Sequence, residues 1–293
     1  RRQRQMCIRD SQTIAADTLN VELLQRLRNL PAVISADTME SKYYPHKFVL
    51  YMRQPLDADS PQAGCFAQRI IVAHAGFDRP TVMVTEGYDA AYATNPYYQE
   101  ELSHLLNANL VFVEHRYFGE SVPDSCNWDY LTVENALNDL HHVRSVFGDV
   151  YSGKWLATGI SKGGQTAMFY RAFYPNDVDV TVPYVAPLNY SEEDERHMHF
   201  LSDDISSSAN RKKVETAQLE LLKRKASLLP LFTRYCAEKQ YTFRVSLEEI
   251  YEFCVLEYAF ALWQWGTPLT EIPSLKASDT TWFNHCLLYT SDA

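Results

Sequence analysis

Residues 154–175, KWLATGISKGGQTAMFYRAFYP, contain Gly159-Ile160-Ser161-Lys162-Gly163, a G-x-S-x-G pattern. Apolar residues Trp155, Leu156 and Ala157 lead in, and a helix-compatible run follows. This layout presents a serine on a tight strand-to-helix turn, where side chains two positions to either side would meet neighbouring backbone. The chemistry it allows is nucleophilic attack on a carbonyl carbon. That requires two backbone N–H groups to hold the developing oxyanion, one of them from the residue after the nucleophile, Lys162. The second is expected from the loop TEGYDA, where Tyr88 is the candidate donor and Gly87 leaves the backbone room. Tyr88 also reads as an ordinary packing aromatic. Glu86 on this loop reads first as a structural hydrogen-bond acceptor and second as a carboxylate for the ammonium of a peptide's free N-terminus.

A serine also needs a base, and the base an orienting acid; in this arrangement both follow the serine in the chain. Only His197, His199 and His285 do so. His197 and His199 come before any later sheet strand, and at i, i+2 on a helix they do not face together as metal ligands would. His285 adjoins the C-terminal tail. The expectation is that the base and acid lie outside this chain, that the chain alone is inactive, and that no metal or other cofactor is involved.

The elements that position the serine follow from periodicity. HKFVLYMRQPLD and CFAQRIIVAHAG read as paired strands, RPTVMVTEG and ANLVFVEHR as short buried strands, and YYQEELSHLLN as a helix between them. In LTVENALNDLHHVRSVFG, Val133, Leu137, Leu140, Val143 and Phe147 recur at helical spacing, with Thr132 as N-cap and Gly148 as stop. KWLAT and DVTVPYVAP are further strands. Antiparallel strands followed by β-α-β-α-β predict an α/β sheet covered on both faces, the α/β-hydrolase arrangement. From about residue 190 the pattern is helical only, and Val214, Ala217, Leu221 and Leu228 form an apolar stripe.

The expected organisation is a hydrolase core over 12–189 and a helical cap over 190–285, with the last sheet strands missing. RRQRQMCIRDS (1–11) and CLLYTSDA (286–293) read as non-native tails resembling sequencing-adapter read-through. Such a piece would leave a sheet edge unpaired and is expected to aggregate. Of six cysteines, Cys65, Cys126, Cys236 and Cys254 lie outside the tails. Whether they are thiols or disulfides stays open, with Cys236 and Cys254 the pair to test. The formal charge of −10 argues against a nucleic-acid partner, and the chain has no apolar run long enough for a membrane span.

Several long stretches carry a resemblance. TEGYDAAYATNPYYQEELSHLLNANLVFVEHRYFGES, LTVEN, KWLATGISKGGQTAMFYRAFYPNDVDVTVPYVAPLN and EIYEFCVLEYAFALWQWGT resemble the secreted prolyl tripeptidyl/tetrapeptidyl aminopeptidase family of serine peptidases. EHRYFGES is also similar to the related lysosomal Pro-X carboxypeptidase and dipeptidyl peptidase II family. That kin more often has GGSYGG where this chain has GISKGG, which favours the first family. The resemblance implies an α/β-hydrolase with a helical cap, a peptide substrate cleaved through an acyl-enzyme on Ser161, often after proline, and a secreted or periplasmic location.

Glu114, Arg116 and Glu120 follow a strand's C-terminal end, near where such a site forms. Arg116 reads first as the partner of a carboxylate that holds the loop, and second as a substrate contact. Trp263 and Trp265 read first as core residues of the cap, and second as a stacking surface for a proline ring. The alternatives are a carboxylesterase or lipase of the same fold, or a hydrolase-like binding protein without catalysis. The acidic, tyrosine-rich cap argues against a lipid-binding lid.

Overall fold

The structure is a computed structural model, and it describes residues 19–124, 126–191 and 194–290. The proposed tail 1–11 and the end of the second tail, 291–293, lie outside these residues. The chain divides into two compact units after Leu188.

The first unit is built on a seven-stranded sheet. Its strands are β1 (Val33–Met39), β2 (His46–Pro55), β3 (Cys65–His74), β4 (Thr81–Thr85), β5 (Asn109–Val113), β6 (Trp155–Ile160) and β7 (Val180–Tyr184). Their spatial order is β1-β2-β3-β5-β4-β6-β7. β1, β2, β3 and β5 pair antiparallel, whereas β5, β4, β6 and β7 pair parallel. This mixed sheet, with the crossover between β4 and β5, is the α/β-hydrolase arrangement that the alternation of strands and helices predicts. β1 is the strand that periodicity does not reveal: only Ala36 of VISADTM is buried, and pairing with β2 makes it a strand.

The central strands read as continuous apolar runs because both sheet faces are covered. Alternation still sorts them. Ile70, Val72, Met83, Val111 and Val113 point to one face, where they meet Leu23 and Leu27 of helix α1 (described over residues 19–28). The same face packs Leu137, Leu140, Val143 and Phe147 of α3 (Val133–Gly148) and Tyr170 of α4 (Lys162–Phe173). Ile71, Ala73, Val82, Val84, Leu110 and Phe112 point to the other face, with Ala90 and Ala93 from the segment after β4 and Leu102 from α2 (Glu101–Leu105). The Thr132 side chain accepts from the Asn135 N–H and caps α3 as expected, and the helix ends at Gly148. Val133 departs from the expected stripe. As the first helical residue it is exposed, and Val146 is buried instead.

The second unit is helical: α5 (Glu195–His199), α6 (Ser208–Lys223), α7 (Lys225–Glu238), α8 (Leu247–Gln264) and α9 (Asp279–Thr290). Its core joins Val214, Ala217 and Leu221 of α6 to Leu228 and Phe232 of α7, with Tyr251, Val255, Tyr258 and Leu262 from α8 and Trp282 from α9. Ser246 and Glu249 form a reciprocal capping box at the start of α8. Helix α9 runs through the boundary drawn at 285/286, and both His285 and Cys286 pack with this core. The Nε2 of His285 is 2.8 Å from the Tyr258 hydroxyl, and burial pushes its pKa down to about 4. The described cysteines, Cys65, Cys126, Cys236, Cys254 and Cys286, are free thiols. Among the described residues no helix is long and apolar enough to cross a membrane.

Candidate active site

Ser161 sits between the end of β6 and the start of α4 with φ 56° and ψ −120°. A non-glycine residue adopts this left-handed region at a cost of about 1–3 kcal/mol, which the surrounding structure must impose. Here it does. The Ser161 N–H donates to the Tyr184 carbonyl at 3.0 Å, and its carbonyl accepts from the Gln165 N–H at 2.9 Å. Thr85, at the end of β4, donates its hydroxyl to the Gly163 carbonyl at 2.9 Å and to the Thr158 carbonyl at 3.2 Å. The flanking glycines leave no room for side chains. A Cβ on Gly159 would collide with the backbone of Gly163, and one on Gly163 would lie 2.6 Å from the Thr85 carbonyl oxygen. The turn thus lifts Ser161 into an exposed position at the sheet's C-terminal edge.

The loop after β4 lies directly against this turn. A Cβ on Gly87 would be 2.8 Å from both the Gly163 nitrogen and the Lys162 Cβ, so only glycine permits the approach. Glu86 folds back on its own loop. Its Oε1 accepts from the Gly87 N–H at 2.9 Å and the Tyr88 N–H at 3.2 Å, and its Oε2 accepts from the Tyr92 hydroxyl at 2.5 Å. Burial and then this carboxylate raise the Tyr92 pKa strongly. An ammonium ligand would have to share or displace these donors. Tyr88 is half exposed, its ring edge-on to Phe118 at 5.4 Å.

The segment after β5 braces the loop. Glu114 is fully buried, with its side chain against Arg69. Its Oε2 also accepts from the Ala90 N–H at 2.7 Å, and its Oε1 accepts from the Glu120 N–H at 2.9 Å and the Ser121 hydroxyl at 2.8 Å. Above it, the His115 N–H donates to the Tyr88 carbonyl at 3.1 Å. Glu120 accepts from Arg69 Nη1 at 2.8 Å and from the Tyr51 hydroxyl. Arg116 faces inward. Its Nε and Nη2 grip Asp139 of α3 at 2.7 and 2.8 Å, and its remaining N–H groups donate to the carbonyls of Pro55, Leu56 and Tyr130. With the side chain only 1 % exposed, every donor is committed to holding the loop, and none is left for substrate.

Ser161, Gly87, Tyr88, Lys162 and Glu86 are therefore brought together, with Glu114, Arg116 and Glu120 as supports behind them. Trp263 and Trp265 belong to the second unit, where Trp263 packs against the core and Trp265 is exposed just past α8. Among the described residues of the first unit no histidine nitrogen is bonded to the Ser161 hydroxyl: His46, His74, His104, His115, His141 and His142 each have another partner. Nor does any cluster of His, Cys, Asp or Glu among them suit a metal ion.

Sequence reading missed Arg69, Asp139, Thr85 and Tyr92. Two of these left a signal. Arg69 interrupts an apolar strand, and Asp139 shares the buried stripe of α3 with Val143 and Val146.

Two buried imidazoles near the sheet predict acid sensitivity. Burial, reinforced by the Lys162 ammonium, pushes the His115 pKa from 6.5 to about 4, and burial does the same to His74. The fold thus favours the neutral rings. Their contribution is complete above pH 6.5 and is lost as the pH falls towards 4, on the order of 3 kcal/mol each. Urea midpoints for the sheet unit are expected to be flat above pH 7 and to fall steeply between 6.5 and 4. A flat profile there would contradict the burial of neutral rings.

The PS-10 peptidase S37 family model matches residues 16–285. The chain is 32 % identical over 262 residues to a prolyl tri/tetrapeptidyl aminopeptidase of Streptomyces mobaraensis, covering 88 % of this chain and 54 % of that protein. It is 31 % identical over 157 residues to the lysosomal Pro-X carboxypeptidase of Mus musculus, covering 48 % of this chain and 32 % of that one. The chain thus spans about half the length of the first relative and a third of the second. Among solved structures, acetyl xylan esterase 1 of Thermoanaerobacterium sp. JW/SL YS485 aligns with a TM-score of 0.37 at 13 % identity, over 67 % of this chain and 69 % of that one, a likeness too loose to carry an argument. The family match, nearly as long as the chain and spanning the Ser161 turn, means that this chain belongs to the PS-10 peptidase S37 family.

Proposed function

We propose that the protein is a serine peptidase that releases short, proline-containing peptides from the free N-termini of its substrates through an acyl-enzyme on Ser161. The observation that carries this reading is the Ser161 backbone, held at φ 56° between two glycines whose positions admit no side chain. In the reaction, Ser161 Oγ attacks the scissile carbonyl carbon as a general base takes its proton. The carbonyl oxygen becomes an oxyanion that accepts from the N–H groups of Lys162 and Tyr88. The C–N bond breaks as the amine leaves with a proton from the base, and water then releases the acyl group by the same route.

Tyr88 N–H donates to Glu86 in the resting structure, so the oxyanion takes over a donor that the carboxylate holds beforehand. The reading requires a general base, and none of the described histidines of the first unit is bonded to Ser161. The name of the Streptomyces relative supports the substrate class. A secreted or periplasmic location belongs to the same reading and rests on the family resemblance.

The test compares three substrates in the catalytically competent protein: a tripeptidyl anilide ending in proline with a free N-terminus, its N-acetylated form, and a p-nitrophenyl ester. The free peptide is expected to be cleaved at least about tenfold faster than the acetylated one, the size of effect that one unpaired charged group produces. Equal rates would remove the N-terminal requirement. Turnover of the ester alone would favour the carboxylesterase alternative.

A further inference from the structure

Lys162 follows the nucleophile, and its backbone N–H is the expected first oxyanion donor. Its side chain does something separate. The half-buried Nζ donates to the Gly87 carbonyl at 2.8 Å and lies 4.5 Å from the centre of the Phe118 ring and 5.0 Å from that of Tyr88. Two aromatic faces and a carbonyl oxygen suit an ammonium better than any neutral group. The stem thus bridges the first turn of α4 to the loop after β4.

The bond it makes has a geometric consequence. The peptide between Gly87 and Tyr88 is trans and planar, so its C=O and N–H point in opposite directions. A cation fixed on the oxygen side sends the Tyr88 N–H to the other side, where it donates to Glu86 Oε1. A single peptide unit is thereby held between an ammonium and a carboxylate, its dipole aligned with both. Without the Lys162 donor this plane could rotate, because glycine at 87 offers little resistance. Among the described residues the remaining ties would be the Glu86 contacts and the His115 N–H on the Tyr88 carbonyl.

We propose that the Lys162 side chain is a positioning residue that sets the Gly87–Tyr88 peptide plane, so that the Tyr88 N–H is preset as the second oxyanion donor. This rests on the reading of Tyr88 as that donor, but the orientation itself can be measured without catalysis.

The first arm uses the 15N-labelled chain and amide hydrogen exchange. Lys162→Met keeps the apolar stem and removes the cationic donor. It is expected to raise Tyr88 amide exchange by about tenfold or more, while Val111 and Phe112 in β5 exchange as before. Lys162→Arg, which retains a cationic donor, is expected to restore most of the protection. Unchanged Tyr88 exchange in Lys162→Met would overturn the proposal, as would an equal rise in the β5 amides, which would mark general loosening.

The second arm uses the catalytically competent protein. Lys162→Met is expected to lower kcat by about 10- to 100-fold with KM within about threefold, somewhat less than deletion of an oxyanion donor. A peptide boronate, whose tetrahedral adduct uses the oxyanion donors, should lose affinity by the same factor, and a product peptide should not. Full boronate affinity alongside reduced kcat would place the Lys162 effect elsewhere and overturn the proposal. Hydrolysis that survives Ser161→Ala would instead defeat the serine-peptidase reading, and the exchange result would still decide the peptide-plane orientation.

Discussion

Ser161→Ala is expected to lower kcat for peptide anilides by at least about 10⁴-fold relative to the catalytically competent parent, leaving substrate affinity nearly unchanged. The physical reason is local. In the proposed reaction the hydroxyl forms the acyl bond, and no other group on the turn can replace it. The substitution should be silent for the fold. Alanine keeps the Cβ and so bears the same strain at φ 56°, and the bonds that hold this residue run through its backbone. Steady-state kinetics with a thermal-melt control checks both halves. Residual activity within about a hundredfold of the parent would show that another group attacks the carbonyl.

Glu114→Ala is expected to destabilise the sheet unit by about 3–5 kcal/mol, the range for removing one member of a buried ion pair. Arg69, only 6 % exposed and with an Nε that already has no partner among the described residues, would keep only the more exposed Glu120 as counter-charge. The Ala90 and Glu120 N–H groups and the Ser121 hydroxyl would lose their acceptor as well. The same change should loosen the loop bearing Gly87 and Tyr88, since Ala90 is tied to this carboxylate. Pairing it with Arg69→Met should recover part of the loss, because the buried guanidinium that has lost its buried partner goes too, while the half-exposed Glu120 is left to solvent. Urea unfolding of the two single variants and the double variant measures the coupling. A loss below about 1 kcal/mol for Glu114→Ala would mean that the buried carboxylate is not the hub the geometry describes.

What could be read from the sequence followed how local each signal is. The turn at Ser161 is legible because its backbone geometry demands glycine at 159 and 163 within five residues of chain. The paired strands of β2 and β3, the buried strands β4 and β5, and the Thr132 cap of α3 depend on short-range patterns and could be read for the same reason. β1 could not, since one buried residue in seven leaves no alternation and only the partner strand defines it. The supports of the site were half visible. Glu114, Arg116 and Glu120 stand together after a strand, but their partners come from far along the chain: Arg69 lies 45 residues before Glu114, and Asp139 lies 23 after Arg116. Nothing in the local pattern says which charge will meet which. The role of the Lys162 side chain was equally hidden, because the carbonyl it holds lies 75 residues away.

In the proposed reaction the covalent intermediate forms on Ser161. The most direct test is to treat the protein, while it is hydrolysing a peptide anilide, with a peptidyl diphenyl phosphonate, then digest it and map the adduct by mass spectrometry. The expected result is loss of activity in step with a single phosphonyl group on Ser161. Inactivation with the adduct on a different residue, or continued hydrolysis with Ser161 fully modified, would contradict it.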